Sequence, residues 1–241
     1  SVFLAQTLPL SYINSARITL IKDAMGKPDT PCPPDTLKSI LDLGPFAKDN
    51  FHSQLTHYVH KQLAPLAPIR DQAFELLNPP NDLEEKLVQQ VKFNSLIDEF
   101  PLLVLATNPD PKQGPWTLLQ EAASIGYSDI VARLLRTGAN PNARVPSGEA
   151  EGATALHFAA IAGNEGIAKQ LVEAGARPIQ EVDGNTPLHV AILHNHISLA
   201  PLLIGEEPNY SCIRKGPYKG YNALHLAIEK ECPKTVALLL E

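Results

Sequence analysis

The sequence predicts an all-α protein: a compact helical N-terminal domain over residues 1–110, then a solenoid of four stacked helix pairs over residues 114–241. Three observations lead there. His157, His189 and His225 hold the same place in similar segments, 32 and 36 residues apart, and Gln120 holds it 37 residues earlier. Each segment joins a short apolar helix to a second with a denser apolar stripe, and such a pair buries its stripes only by stacking on its neighbours. Fourteen of the 22 prolines fall within residues 1–115, so helix breakers thin out where the repeats begin.

Before the repeats, residues 8–25 predict an amphipathic helix through Leu10, Ile13, Ala16, Leu20 and Ala24, stopped by Gly26 and Pro28. Asp35 can cap a short helix carrying Leu37, Ile40 and Leu41. Asp49 or Asn50 can start another with Phe51, Leu55, Tyr58 and Val59 on one side. Further helices are expected at 68–77 and 82–99. The run Leu102–Thr107 fits either a short strand or a buried helix, because Pro101 interrupts the pattern before it.

The repeats themselves read "PWTLLQEAASIGYSDIVARLLRTGANPN" from Pro115, "GATALHFAAIAGNEGIAKQLVEAGARP" from Gly152, "GNTPLHVAILHNHISLAPLLI" from Gly184 and "GYNALHLAIEKECPKTVALLLE" from Gly220. A Thr or Asn stands just before each first helix. Gly138 and Gly175 follow second-helix stripes, where a left-handed residue ends a helix without a Cβ clash. Pro201 inside "SLAPLL" should bend or shorten the third copy's second helix. The fourth copy stops after its second stripe, and "TVALLLE" is strongly apolar where a terminal repeat usually turns a polar face outward. It is therefore expected to be incomplete.

These segments closely resemble ankyrin repeats, through "ATALHFAA" at Ala153–Ala160, "NTPLHVA" at Asn185–Ala191 and "GYNALHLA" at Gly220–Ala227. "TGANPN" at Thr137–Asn142 and "EAGARP" at Glu173–Pro178 resemble the turn after the second helix. The resemblance implies hydrogen bonds from His157, His189 and His225 that link neighbouring repeats, and Thr154 and Thr186 belong to the same repeat-stabilising set. It also implies a scaffold whose projecting turns and concave first helices bind proteins.

Composition bounds the rest. Lys and Arg number 20 against 26 for Asp and Glu, a formal net charge of -6, which disfavours nucleic acid as a partner. Cys32, Cys212 and Cys232 are too few and scattered for a disulfide framework, so the cytoplasm or another reducing intracellular compartment is expected. No apolar run approaches the roughly 20 residues of a membrane span. The oligomeric state is left open by the sequence.

For chemistry, His57 and His60 can share a helix face, but a zinc site needs three or four ligands and none completes it, so no metal is expected. Cys32 and His57 can be drafted as nucleophile and base, with Asp71 or Asp98 as the orienting group. No phosphate loop, HExxH or GxSxG segment accompanies them, and no cofactor is expected. The leading expectation is a non-enzymatic adaptor that binds a protein partner. The alternative is an enzyme or enzyme-recruiting effector whose repeats select the target, with catalysis in residues 1–110 or beyond Glu241. The contact residues expected for the adaptor lie on two lengthened turns and one first helix: Arg144, Val145, Phe158, Tyr210, Arg214, Lys215, Tyr218, Lys219 and Tyr221.

Overall fold

A computed structural model describes residues 61–79, 82–108, 115–146, 148, 150–178, 182–183, 185–204, 213–214 and 216–240. The helices expected over 8–25 and from Asp35 and Asp49 or Asn50 lie outside the described residues. Two helices precede the repeats, α1 (Ala67–Glu75) and α2 (Leu83–Glu99). The helix pairs follow: α3 (Leu118–Ile125) with α4 (Ser128–Thr137), α5 (Ala155–Ala162) with α6 (Glu165–Glu173), α7 (Pro187–Leu193) with α8 (Ala200–Leu203), and α9 (Ala223–Glu229) with α10 (Pro233–Leu240). Residues 71–241 form one compact unit, separate from residues 1–70.

A helix start leaves backbone N–H groups without partners, and all four first helices solve this in the same way. Thr117, Thr154, Thr186 and Asn222 are N-caps, and the residue three places on answers with its own side chain. Thr117 N–H donates to Gln120 Oε1 at 2.8 Å. Thr154 and Thr186 N–H donate to Nδ1 of His157 and His189 at 3.2 and 3.3 Å, and Asn222 N–H to Nδ1 of His225 at 3.4 Å. An Nδ1 that accepts has its proton on Nε2, which fixes the tautomer.

That proton then reaches the next repeat. His157, 2% exposed, places Nε2 3.3 Å from Asn185 O, at the foot of α7. Gln120 does the equivalent with its amide, donating to Ala143 O at 2.8 Å and Ala153 O at 3.3 Å. One side chain therefore closes its own helix and fastens the following one. Asn142 adds a second fastening on the turns after α4 and α6: its Nδ2 donates to Gly175 O and its Oδ1 accepts from Arg177 N–H, both at 2.8 Å.

Stacking produces two layers. α3, α5, α7 and α9 pack in succession as one row. α2, α4, α6, α8 and α10 form the other. Leu118, Leu156, Leu188 and Leu226 are buried along the first row, and Ile130, Leu134, Ile167 and Leu171 lie beneath the second. Burial of each such side chain contributes roughly 1.5–3 kcal/mol. α2 belongs to this second row: Phe93 and Ile97 are fully buried, and Asp98 pairs with Arg133 of α4. Asp82 caps α2, accepting Glu85 N–H at 2.7 Å. The stack thus begins well before residue 114. The run after Pro101 is neither strand nor α-helix but a 3-10 helix, Pro101–Leu105, that buries Leu103 and Val104.

Two local departures have clear causes. Pro201 has no N–H to continue a helix begun at Ile197, so the third copy's second helix breaks into a 3-10 turn, Ile197–Leu199, and the four-residue α8. Where first helices end, Gly126 and Gly163 are left-handed, but Asn195 and Glu231 fill the same place at φ 62° and 53°. A Cβ at such a φ is costly, least so for Asn.

Two outcomes check this. His157→Ala should destabilise the chain by about 2–3 kcal/mol in urea unfolding, because Thr154 N–H and Asn185 O both lose a partner. His157→Gln should stay within about 1 kcal/mol of the original, since Gln120 already performs both tasks with an amide. Separately, Glu231→Gly should raise stability by up to about 1 kcal/mol by removing the left-handed strain.

Candidate functional site

Turns that do more than connect helices betray themselves by extra chain held in a defined shape. Each first helix is preceded by a hairpin closed by a bond to the carbonyl just before the N-cap: Asn108 N–H to Trp116 O, Val145 N–H to Ala153 O, Val182 N–H to Asn185 O and Ile213 N–H to Tyr221 O, at 2.7–2.9 Å. The closing residues stand three apart in the third hairpin but eight apart in the other three.

Two of the long hairpins share the same backbone hydrogen bonds. In the finger from Val145 to Ala153, Gly152 N–H donates to Val145 O, Glu151 N–H to Gly148 O and Ala153 N–H to Ala150 O. In the finger from Ile213 to Tyr221, Gly220 N–H donates to Ile213 O, Lys219 N–H to Gly216 O and Tyr221 N–H to Tyr218 O. Gly148 and Gly216 have φ 101° and 84°, and Gly152 and Gly220 have 85° and 89°, values that require glycine at all four places. Val145 and Ile213, 1% and 4% exposed, anchor the two fingers in the stack. Only the tips differ. Among the described residues, one carries an exposed Glu151 and the other an exposed Arg214 and Lys219.

The expected contact residues divide accordingly. Val145 is a buried anchor, not a tip residue, because the first position of the hairpin turns its side chain into the core. Phe158 is 5% exposed beneath Trp116, whose ring lies 4.5 Å away, so it too is withdrawn from the surface. Arg144 is exposed, with Nε donating to Gly152 O at 3.1 Å across the base of the first finger. Arg214 and Lys219 are exposed on the second finger. Tyr218 and Tyr221 are half-buried, their rings 5.8 Å apart, and Tyr221 continues to His225 at 5.7 Å. Lys230 lies over the Tyr218 ring, and its hydrogen bond to that hydroxyl holds the ammonium above the ordinary lysine value. Tyr210 and Lys215 lie outside the described residues, as do Cys32 and His57.

Beside the first finger a second feature stands out. Glu121 occupies the place held by Phe158, Val190 and Leu226 in the later copies. Its Oε2 is buried and accepts no hydrogen bond, and desolvation pushes its carboxyl above the ordinary glutamate value. Trp116 Nε1 is also buried without an acceptor. By contrast Cys232, 1% exposed, is chemically quiet: burial pushes its thiol up and disfavours the thiolate, with Lys230 opposing. Among the described residues, no group of three or more His, Cys, Asp or Glu side chains can hold a metal, and no helix is long and apolar enough to cross a membrane.

The repeated lock, the paired rows and the hairpins coincide with a family model described as ankyrin repeats, which matches residues 87–182 and 176–241, well over half of the chain. The chain belongs to the ankyrin-repeat family. Ankyrin-repeat proteins generally act as protein–protein interaction scaffolds or adaptors. Relatives include the B-cell lymphoma 3 protein of Homo sapiens, 38% identical over 90 residues, which are 36% of this chain and 20% of that protein. Rabankyrin-5 of Mus musculus is 37% identical over 110 residues, 42% of this chain and 9% of the relative. NF-kappa-B inhibitor alpha of Sus scrofa is 36% identical over 78 residues, 31% of this chain and 25% of the relative. The chain therefore covers a quarter or less of each of these ankyrin-repeat proteins.

The ankyrin match begins at residue 87, inside α2, ahead of the first TxLH-like segment. The sequence places a helix at 82–99 but does not assign it to the stack, because no first helix with a Thr cap precedes it. Sequence reasoning also passed over the spacing common to the two fingers, an aliphatic residue followed by glycine three and seven places on. That signal is present in the sequence but sparse.

Glu121→Gln tests the buried carboxylate. A raised folded-state value means the native protein binds more protons than the unfolded chain between the ordinary glutamate range and that value. Stability contributed here is present at low pH and lost as pH rises through the window. The Gln variant should therefore have the higher melting temperature at pH 7, and the difference should vanish below the ordinary glutamate range. A lower melting temperature at pH 7 would show that the carboxylate is satisfied.

Proposed function

We propose that this chain is a non-enzymatic ankyrin-repeat adaptor that grips a protein partner with its two fingers, one acidic and one basic. The observation that carries this is the pairing itself: two glycine-hinged hairpins with matching hydrogen bonds, two repeats apart, bearing opposite charge at the tips. Stacking does not require their length, since the hairpin at Val182–Asn185 joins its repeats with closing residues three positions apart in place of eight. Opposite charges held on separate projections favour a partner surface with basic and acidic patches in matching order, and discriminate against its reverse. The buried free thiol of Cys232 is compatible with work in a reducing compartment.

Because the two backbones match, the tips can be exchanged. Residues 214–219 placed after Val145, with residues 146–151 placed after Ile213, preserve every glycine and the net charge. A backbone bond from Arg214 N–H to Asp183 O, 2.7 Å long, is lost because Pro146 has no N–H, at a cost of about 1 kcal/mol. Circular dichroism should show unchanged helix content. Quantitative affinity capture from lysate should then lose the proteins that the original chain retains. An identical capture profile for the original and exchanged chains would remove the fingers from the binding surface.

A further inference from the structure

A half-buried residue with one carboxylate oxygen shut away from any donor costs a fold stability, and a framework position that is apolar in three other copies had no structural need of it. Glu121 is that residue. It follows Trp116 by five positions, and it stands one repeat before Phe158 in the adjoining first helix. Trp116 and Phe158 have their rings in contact, 4.5 Å between centroids and tilted by 47°. Trp116 contributes a buried indole N–H with no acceptor, and Glu121 a buried Oε2 with no donor. No basic side chain among the described residues pairs with Glu121.

We propose that Glu121 and Trp116, the latter backed by the buried Phe158 ring, form a recognition site for a Lys or Arg side chain of the protein partner. The proposal rests on the adaptor reading and adds a chemical identity for one contact. Each unsatisfied group matches a part of a basic residue. The carboxylate pairs with the ammonium or guanidinium, and a charged donor restores what a neutral hydroxyl or amide cannot, because the charge itself is desolvated. The half-exposed Trp116 ring offers an apolar wall to the methylene stem and π density to the cation. The indole N–H is left to donate to a main-chain carbonyl beside that residue. The raised protonation value of the Glu121 carboxyl agrees with a site built for an opposite charge that the isolated chain lacks.

The chain contains one tryptophan, Trp116, so its fluorescence reports on this pocket alone. The probes are acetylated, amidated Gly-Gly-X-Gly-Gly peptides with X as Arg, Lys, citrulline or norleucine, titrated into the 241-residue chain. Arg or Lys should give a saturable change at millimolar probe or below, and citrulline and norleucine should bind at least about tenfold more weakly. Glu121→Gln should lose about tenfold in affinity for the basic probes, with helix content unchanged. Glu84→Gln, an exposed acid in the first turn of α2, should bind like the original chain. No saturable response to Arg or Lys, equal binding of citrulline, or an unaltered affinity in Glu121→Gln would each overturn the pocket. A partner captured through the fingers and held equally by Glu121→Gln would leave the adaptor reading intact while refuting the pocket. Loss of all partner capture from the original chain would instead refute the adaptor reading.

Discussion

The structure depends on a reciprocal hydrogen bond at the start of each first helix. A cap residue and the residue three places on satisfy each other's backbone N–H, and the second of the two is left with a donor to spare. In Gln120 and His157 that donor reaches a carbonyl in the following repeat. A local rule of helix initiation therefore also sets the registry between repeats. Only side chains with an acceptor and a donor on opposite sides of a short rigid head can do both, which is why an imidazole and a primary amide are interchangeable here and an aliphatic is not.

With the stack fixed by local chemistry, the hairpins between the rows are free to vary. The chain uses that freedom in two ways. Fingers of equal length and matching hydrogen bonds carry opposite charge in their sequences, so the closing bonds are kept while the chemistry is reversed. Near the first finger, an apolar framework position is given to Glu121, whose Oε2 is buried without a hydrogen-bond donor.

Much of the stack was legible in the sequence, because caps and stripes are local. Thr154 and His157, or Thr186 and His189, sit three residues apart and need no knowledge of the rest of the chain. Pro201 likewise announced the shortened helix before α8. What was not legible required distant information. Val145 looks like the tip of a loop until the bond from its N–H to Ala153 O sets the hairpin register and turns it inward. Phe158 looks like a surface aromatic until Trp116, 42 residues earlier, covers it. α2 carries no Thr cap or TxLH segment, so its place in the outer row follows only from packing against α4. The isolation of Glu121 is a statement about what is missing around it, and no motif encodes that.

The most direct test of the adaptor account is amide hydrogen exchange on the chain alone and with a bound protein partner. Binding through the fingers should slow exchange at residues 146–151 and 214–219 and leave α4, α6 and α10 unchanged. Protection confined to those second-row helices, with both fingers exchanging at their unbound rates, would contradict it.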